Sequence, residues 1–104
     1  MKVFLSPLAE YKLTKLLLYL EEEWGKPSKE KFLQKLEQKS SQISSHPRSN
    51  PQTEEFDDIY WCVVTTQSSF YYRILNKEIE IITITDNRQN PDKIIKEIRS
   101  YFKT

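Results

Sequence analysis

Residues 69–85 read SFYYRILNKEIEIITIT, and this stretch decides the fold. Its two halves, Ser69–Leu75 and Glu78–Thr85, are rich in aromatic and β-branched side chains. Such side chains favour strands of a sheet that has one face covered by helices. The link between the halves is Asn76-Lys77, and asparagine tolerates a positive φ, so the stretch predicts a tight hairpin. An antiparallel sheet is therefore expected at the centre of the protein.

Two further strands are predicted on the N-terminal side of this hairpin. Ile59–Thr66 is a strand-like run that follows a polar segment, residues 44–58, without periodicity. Val3-Phe4-Leu5 is a short apolar run that could not pair its backbone groups alone. We therefore expect this first strand to join the same sheet.

The first helix is predicted to begin at Ser6-Pro7 and to continue to about Trp24. The Ser6 hydroxyl can cap free backbone N–H groups, and Pro7 suits the first helical position, where its missing N–H is not needed. Apolar residues recur at helical spacing and predict one core stripe. The stripe consists of Ala9, Leu13, Leu16, Leu17, Leu20 and Trp24.

Gly25, the single glycine of the chain, separates the first helix from a second one. A left-handed helix end favours a residue without Cβ, so Gly25 is expected to end the first helix. Pro27-Ser28 then begins the second helix, which has a narrower apolar stripe. That stripe consists of Phe32, Leu33, Leu36 and Ile43. A link of a few residues predicts that the two helices pack as an antiparallel hairpin.

The C-terminal segment predicts a third helix. Asn90-Pro91 combines a capping residue with a first-turn proline, and an amphipathic apolar pattern follows. The apolar positions are Ile94, Ile95, Ile98, Tyr101 and Phe102. The fold class is therefore α+β: an N-terminal strand, an antiparallel helical hairpin packed on an antiparallel sheet, and a C-terminal helix. A chain of 104 residues is expected to form one domain, residues 1–104.

Composition narrows the possible functions. The net charge is +1, so a nucleic-acid role would need a local basic patch. The single cysteine, Cys62, cannot form an internal disulfide, and we expect it to be a small buried apolar residue. The N-terminus is too soon broken by Pro7 to be a signal peptide, and the apolar run 16–20 is too short to span a bilayer. These features predict a cytoplasmic protein with no membrane association.

Several segments, in this order, resemble the RelE/ParE toxins of bacterial type II toxin–antitoxin systems. They are VFLSPLAE at 3–10, WG at 24–25, HP at 46–47, FYYRI at 70–74, the isoleucine strand at 79–84 and NR at 87–88. The resemblance covers roughly residues 2 to 90 and is closer to the ParE-like branch. It implies the helical-hairpin-on-sheet fold and a cognate antitoxin partner. It also implies roles in growth inhibition and plasmid stabilization.

Members of the family have one of two activities, and each activity requires different residues. RelE-like members cleave messenger RNA on the ribosome, using basic residues around the loop and strand after the second helix, an arginine in the next strand and a C-terminal tyrosine. Here Arg48 is the one lysine or arginine from 46 to 66, and that segment also carries Glu54, Glu55, Asp57 and Asp58. The arginine position of the next strand corresponds to Ser68 or Ser69.

An acidic loop repels phosphate, so the sequence favours a ParE-like toxin that binds its target, possibly DNA gyrase, without hydrolytic chemistry. The alternative is a RelE-like ribosome-dependent mRNA endonuclease, and a third possibility is a family member that has lost toxicity. Three or more lysines or arginines that converge with a tyrosine in one concave spot on the sheet would instead indicate a nuclease. No catalytic residue, cofactor or metal site is identified, since the acidic loop lacks a glycine turn or regular ligand spacing.

Two sets of residues are candidates for binding. The target-binding candidates are Arg73, Arg88, Tyr72, Lys96 and Arg99. Alternatively Arg73 pairs with Glu78 or Glu80, and Arg88 is a solvated turn residue. In the same way, one of Tyr71 and Tyr72 packs in the core, and the basic stripe of the last helix is a solvated face. The antitoxin-binding candidates are Leu8, Tyr11, Leu18 and Tyr19, because the first helix has more apolar residues than one face needs. A homodimer through that same surface is the competing explanation.

Overall fold

The sheet is mixed and contains four strands. The computed structural model describes residues 1–103, and the strands are β1 (Lys2–Leu5), β2 (Ile59–Val63), β3 (Ser68–Leu75) and β4 (Glu78–Asp86). Their order in the sheet is β1-β4-β3-β2. The antiparallel pairing of β2, β3 and β4 is confirmed, and β1 joins the sheet as expected. β1 runs parallel to β4, which a long connection permits: the helical hairpin, β2 and β3 all lie between these two strands along the chain.

The β3–β4 turn has the predicted chemistry. Asn76 has a φ of 56°, and Leu75 pairs with Glu78 across the two-residue link. This turn sets the register of the central hairpin, since a two-residue loop fixes which residues lie opposite each other.

A β-bulge in β4 explains its doubled isoleucines. Tyr71 pairs with Thr83 and Tyr72 pairs with Ile81, so Ile82 is an extra residue in β4. An extra residue inverts the alternation of side chains beyond it. Ile81 and Ile84 consequently share the core under the helical hairpin, whereas Ile82 contributes to a second core on the opposite face.

The two predicted helices form the hairpin, as α1 (Pro7–Trp24) and α2 (Lys26–Ser45). Gly25 alone lies between them, with φ 89° and ψ 170°. The positive φ agrees with the expected left-handed helix end, but the ψ of 170° places Gly25 outside the left-handed helical region. Essentially only glycine adopts this conformation. The Gly25 N–H still donates to the Glu21 carbonyl at 2.9 Å, which ends α1.

The predicted helix stripes need two corrections. Trp24 is 69% exposed and Leu33 is 37% exposed, so neither belongs to the core. Trp24 lies at the tip of the hairpin, where α1 ends. The rest of both stripes is confirmed: Ala9, Phe32, Leu36 and Ile43 are buried, and the four leucines of α1 pack partly buried against this core.

The third helix, α3 (Pro91–Lys103), packs on the opposite face of the sheet. The Asn90 side chain accepts a hydrogen bond from the Asp92 N–H at 2.9 Å, which confirms the predicted cap. Ile94 and Ile98 pack with Ile82 and Tyr71, and Phe56 from the acidic loop completes this core. None of the helices in residues 1–103 has the length and apolar character needed to cross a membrane.

Candidate partner-binding surfaces

A groove of about 650 Å³ opens between the helical hairpin and the end of the sheet. Its walls are α1 and α2, and its base is the β2–β3 turn (residues 65–67) with the end of β4. Leu16, Leu20, Phe32 and Ile84 give it an apolar floor. Four cations line it, and we call it the basic groove; they are Lys12, Lys31, Lys35 and Arg88.

Two of these four cations are already paired. The Lys12 ammonium lies 2.9 Å from a Glu97 carboxylate oxygen on α3, and Arg88 donates to both oxygens of Asp86 at 3.1 and 2.9 Å. These hydrogen bonds from Arg88 lower the pKa of the Asp86 carboxyl and raise that of the guanidinium. Within residues 1–103, no carboxylate forms an ion pair with Lys31 or Lys35. The groove therefore keeps a positive rim.

Four cations and Tyr19 line this groove. Lys12, Lys31 and Lys35, like Tyr19, come from the helices and not from the sheet, and Lys12 and Arg88 are each paired with a carboxylate. The groove therefore differs from three cations converging with a tyrosine on the sheet, which is the arrangement that would indicate a nuclease. The sequence carries a signal for part of this cluster, since Lys31 and Lys35 are four residues apart and so lie on one face of α2.

The positions that correspond to a RelE-type catalytic set are buried or engaged in structural contacts. The C-terminal Tyr101 donates to a Glu80 carboxylate oxygen at 2.7 Å and packs in the core under α3. Ser68 and Ser69 are buried, and the Ser69 hydroxyl donates to the Asn87 side-chain oxygen at 2.5 Å. Ser68 lines the base of the basic groove, whereas Ser69 and Tyr101 do not line it.

Tyr72 is removed from the target-binding candidates. Its side chain has 0% exposure, stacks on Tyr60 with ring centroids 5.2 Å apart and donates to the Pro47 carbonyl at 2.7 Å. Burial raises its pKa, partly offset by a hydrogen bond from Asn50. Tyr72 therefore anchors the loop after α2 and has no surface to offer a partner.

The remaining cationic candidates differ in their exposure and in their intramolecular contacts. Arg73 donates to Glu80 at 2.7 Å and lies 4.6 Å from the Phe102 ring, so it makes the intramolecular pair considered as its alternative role. Lys96 and Arg99 are exposed on α3, and the Arg99 guanidinium lies 5.8 Å from the Phe56 ring. The Arg88 side chain is 70% exposed at the basic groove. The five candidates thus do not form one site.

The antitoxin-binding candidates form a largely exposed apolar surface on α1. Tyr11, Leu18 and Tyr19 are 57%, 55% and 51% exposed, and Leu8 is half-buried. The Lys15 ammonium covers part of this surface, 4.8 Å from the centre of the Tyr11 ring. Tyr19 also lines the basic groove, so the apolar surface and the groove are continuous.

The acidic loop carries four carboxylates. No group of three or more His, Cys, Asp or Glu side chains is arranged to hold a metal ion anywhere in the described part of the chain. Glu54, Glu55, Asp57 and Asp58 are all exposed.

Comparison with solved structures defines the fold class. A chain from a structure described as "Chromosomal ParDE TA system from P. aeruginosa" superposes with a TM-score of 0.69 at 16% sequence identity. The match covers 83% of this chain and 95% of that chain. The molecule therefore has the fold of a small toxin–antitoxin component.

Sequence comparison gives the family. The family model described as "ParE toxin of type II toxin-antitoxin system, parDE" matches residues 3–91. The chain belongs to this ParE toxin family, which confirms the ParE-like resemblance. A search of curated protein sequences found no match.

Proposed function

We propose that this protein is a cytoplasmic toxin that inhibits an essential cellular target by binding it, and that a cognate antitoxin neutralises it. DNA gyrase is the first candidate target, and growth inhibition and plasmid stabilization are the expected roles. The observation that carries the proposal is the apolar surface of α1, where Tyr11, Leu18 and Tyr19 are each more than half exposed. Exposed apolar surface of this kind marks a protein-binding site, and a ParE-family toxin has an antitoxin to cover it.

The antitoxin is expected to place an amphipathic segment on α1 and in the basic groove. Its apolar side chains would cover Leu8, Tyr11, Leu18 and Tyr19, and its acidic side chains would meet Lys31 and Lys35. A test replaces Tyr11 and Leu18 together by serine, which leaves the core intact. The double variant should still arrest growth, and co-expression of the antitoxin encoded beside it should no longer rescue the cells.

A second outcome of that experiment concerns self-association. If the purified protein is a dimer in sedimentation analysis and the same double variant is a monomer, a second copy covers the α1 surface. Antitoxin rescue that is unchanged in the variant would contradict our assignment of this surface.

Target binding is proposed to involve Arg88, Lys96 and Arg99. Arg88 and the α3 cations are exposed and would meet an acidic or DNA-bound target complex. Purified protein should inhibit supercoiling by DNA gyrase, and Arg88→Ala should weaken inhibition about tenfold with an unchanged melting temperature. Lys77→Ala, which removes an exposed cation at the β3–β4 turn, is the matched control and should inhibit normally.

The endonuclease remains the second candidate because the basic groove gathers four cations and Tyr19. Cleavage through a 2′-hydroxyl also needs a group that accepts its proton. Among the described residues, Asp86 is the carboxylate that lines the groove, and it is held by Arg88, which argues against this chemistry. Ribosome-dependent cuts in mRNA that disappear in a Lys31→Ala/Lys35→Ala variant, with supercoiling unaffected, would favour the nuclease.

A further inference from the structure

A second groove, of about 360 Å³, lies on the opposite face of the sheet between α3 and the acidic loop. We call it the α3 groove. Ile94, Ile95 and Ile98 form one wall, residues 51–56 form the other, and Trp61 and Tyr71 lie between them. Trp61 is 39% exposed although it is a large aromatic residue in a strand. The volume is sufficient for one or two bulky side chains.

The loop side of the α3 groove is negatively charged. Glu54 and Glu55 line it, both are exposed, and neither forms an ion pair within residues 1–103. Burial raises the pKa of Tyr71, and the Glu55 carboxylate, which lines the same groove, raises it further. The Arg99 guanidinium lies 5.8 Å from the Phe56 ring, and within residues 1–103 it forms no ion pair with Glu54 or Glu55. Unpaired charge thus lies beside an apolar surface.

The backbone beside this groove is already paired. The Thr53 N–H donates to the Ile59 carbonyl at 2.8 Å, and the Trp61 N–H donates to the Pro51 carbonyl at 3.0 Å. The loop thereby covers the outer edge of β2 at Ile59 and Trp61. A partner therefore cannot add a strand there and has to bind through its side chains.

We propose that the α3 groove binds a basic peptide segment of a partner protein. One bulky apolar side chain of that segment inserts between Trp61 and the isoleucines of α3, and a neighbouring lysine or arginine pairs with Glu54 and Glu55. Charge complementarity selects this occupant, because an acidic segment would be repelled and a purely apolar one would leave the carboxylates unused. A cation next to Trp61 and Tyr71 is also favoured by the ring faces.

This site is separate from the surface proposed for the antitoxin. α1 and the basic groove lie on one face of the sheet and the α3 groove lies on the other, so both can be occupied together. The family match ends at residue 91, where α3 begins, so the isoleucine wall of the groove is outside the matched residues.

The test selects ligands from a phage-displayed library of random short peptides on the immobilised protein. The affinity of each selected peptide is then measured by calorimetry for the unchanged protein and for three variants. These variants are Glu54→Gln/Glu55→Gln, Trp61→Thr and the control Glu22→Gln/Glu23→Gln. The control removes two exposed carboxylates of α1, so the change in net charge is the same. Circular dichroism establishes that each variant is folded.

We expect a class of selected peptides that combine a lysine or arginine with a nearby tryptophan, phenylalanine or leucine. Their affinity should fall about fivefold in the double glutamine variant at low salt, and less at high salt, because exposed charges are screened. Trp61→Thr should abolish binding and the control should not change it.

The proposal is wrong if no selected peptide responds to the Glu54 and Glu55 changes. It is also wrong if the free protein forms a dimer that Trp61→Thr dissociates, since a second copy would then occupy the groove. Neither result depends on toxicity, so the proposed function is tested independently.

Discussion

Ser6 joins α1 to β4 through its own hydrogen bonds. Its N–H donates to the Ile81 carbonyl at 2.9 Å, and its hydroxyl donates to the Ile82 carbonyl at 2.6 Å and accepts from the Ala9 N–H at 3.0 Å. The side chain has 0% exposure. The predicted helix cap therefore also satisfies the carbonyl of the bulged residue in β4.

Ser6→Ala is expected to lower the free energy of unfolding by about 1–2 kcal/mol, because it removes a cap and leaves a buried carbonyl without a donor. Urea denaturation measures the change. Ser41→Ala, at an exposed position of α2, should alter stability by less than about 0.5 kcal/mol. Equal effects of the two substitutions would show that the buried bonds contribute little.

Cys62 is expected to be chemically inert in the folded protein. Its side chain is 1% exposed, and burial raises the pKa of the thiol, so little of the reactive thiolate is present. Iodoacetamide should modify it slowly in buffer at pH about 8 and rapidly in urea. Rapid modification of the native protein would mean that β2 opens readily.

At the scale of elements, two carboxylates hold α3 on the sheet. Glu80, 6% exposed, accepts hydrogen bonds from Arg73 and from Tyr101, each at 2.7 Å. Glu97 accepts from Thr83 at 2.7 Å and pairs with Lys12 of α1. The amphipathic pattern predicted the helix and its apolar face, and the Arg73–Glu80 pair was one of the alternatives weighed for Arg73. The contacts of Tyr101, Thr83 and Lys12 with these carboxylates join residues that are distant along the chain, so they leave no local sequence signal.

Glu80→Gln should destabilise the protein by about 1–2 kcal/mol. This is less than the cost of breaking a fully buried ion pair, because the Arg73 side chain is 30% exposed and can be hydrated. Glu78→Gln on the same strand is exposed and is the matched control, with a change below about 0.5 kcal/mol. Hydrogen exchange in α3 should rise in the first variant alone. Unchanged exchange there would mean that the isoleucines hold α3 without the ion pair.

Alkaline pH is expected to loosen α3. Burial raises the pKa of Tyr101, and its hydrogen bond to Glu80 and the Glu80 charge raise it further. The folded state therefore favours the neutral phenol of Tyr101. The stability that neutral Tyr101 contributes is complete below its pKa in the unfolded chain, about 10, and is lost as the pH rises through its pKa in the folded protein. Unfolding in urea at increasing pH should show a shallower alkaline loss for Tyr101→Phe. An equally steep loss would assign the effect to the buried Tyr71 and Tyr72, whose pKa values burial also raises.

At the scale of the whole molecule, a net charge of +1 conceals local clusters of opposite sign. Lys31 and Lys35 line the basic groove and form no ion pair within residues 1–103, and four exposed carboxylates lie in the acidic loop beside the α3 groove. The net charge does not reveal these clusters, because the tertiary structure decides which elements meet.

Lys31→Gln/Lys35→Gln should weaken antitoxin binding about tenfold and reduce its salt dependence, with no change in melting temperature. Lys2→Gln/Lys77→Gln is the control with the same charge change at exposed positions and should bind normally. Calorimetry at two salt concentrations gives both quantities. Equal weakening by the two pairs would mean that only net charge matters to the antitoxin.

The amino-acid sequence by itself determined the order of strands and helices, the Asn76 turn, the caps at Ser6 and Asn90, and the family resemblance. Each of these depends on side chains within a few residues of one another, where periodicity and turn chemistry act. Tertiary structure alone decided that β1 pairs in parallel with β4, that the Ile82 bulge sends neighbouring isoleucines to different cores, and that Tyr72 is buried. It also brought Lys12, Lys31, Lys35 and Arg88 together, because packing joins residues from elements that are distant along the chain.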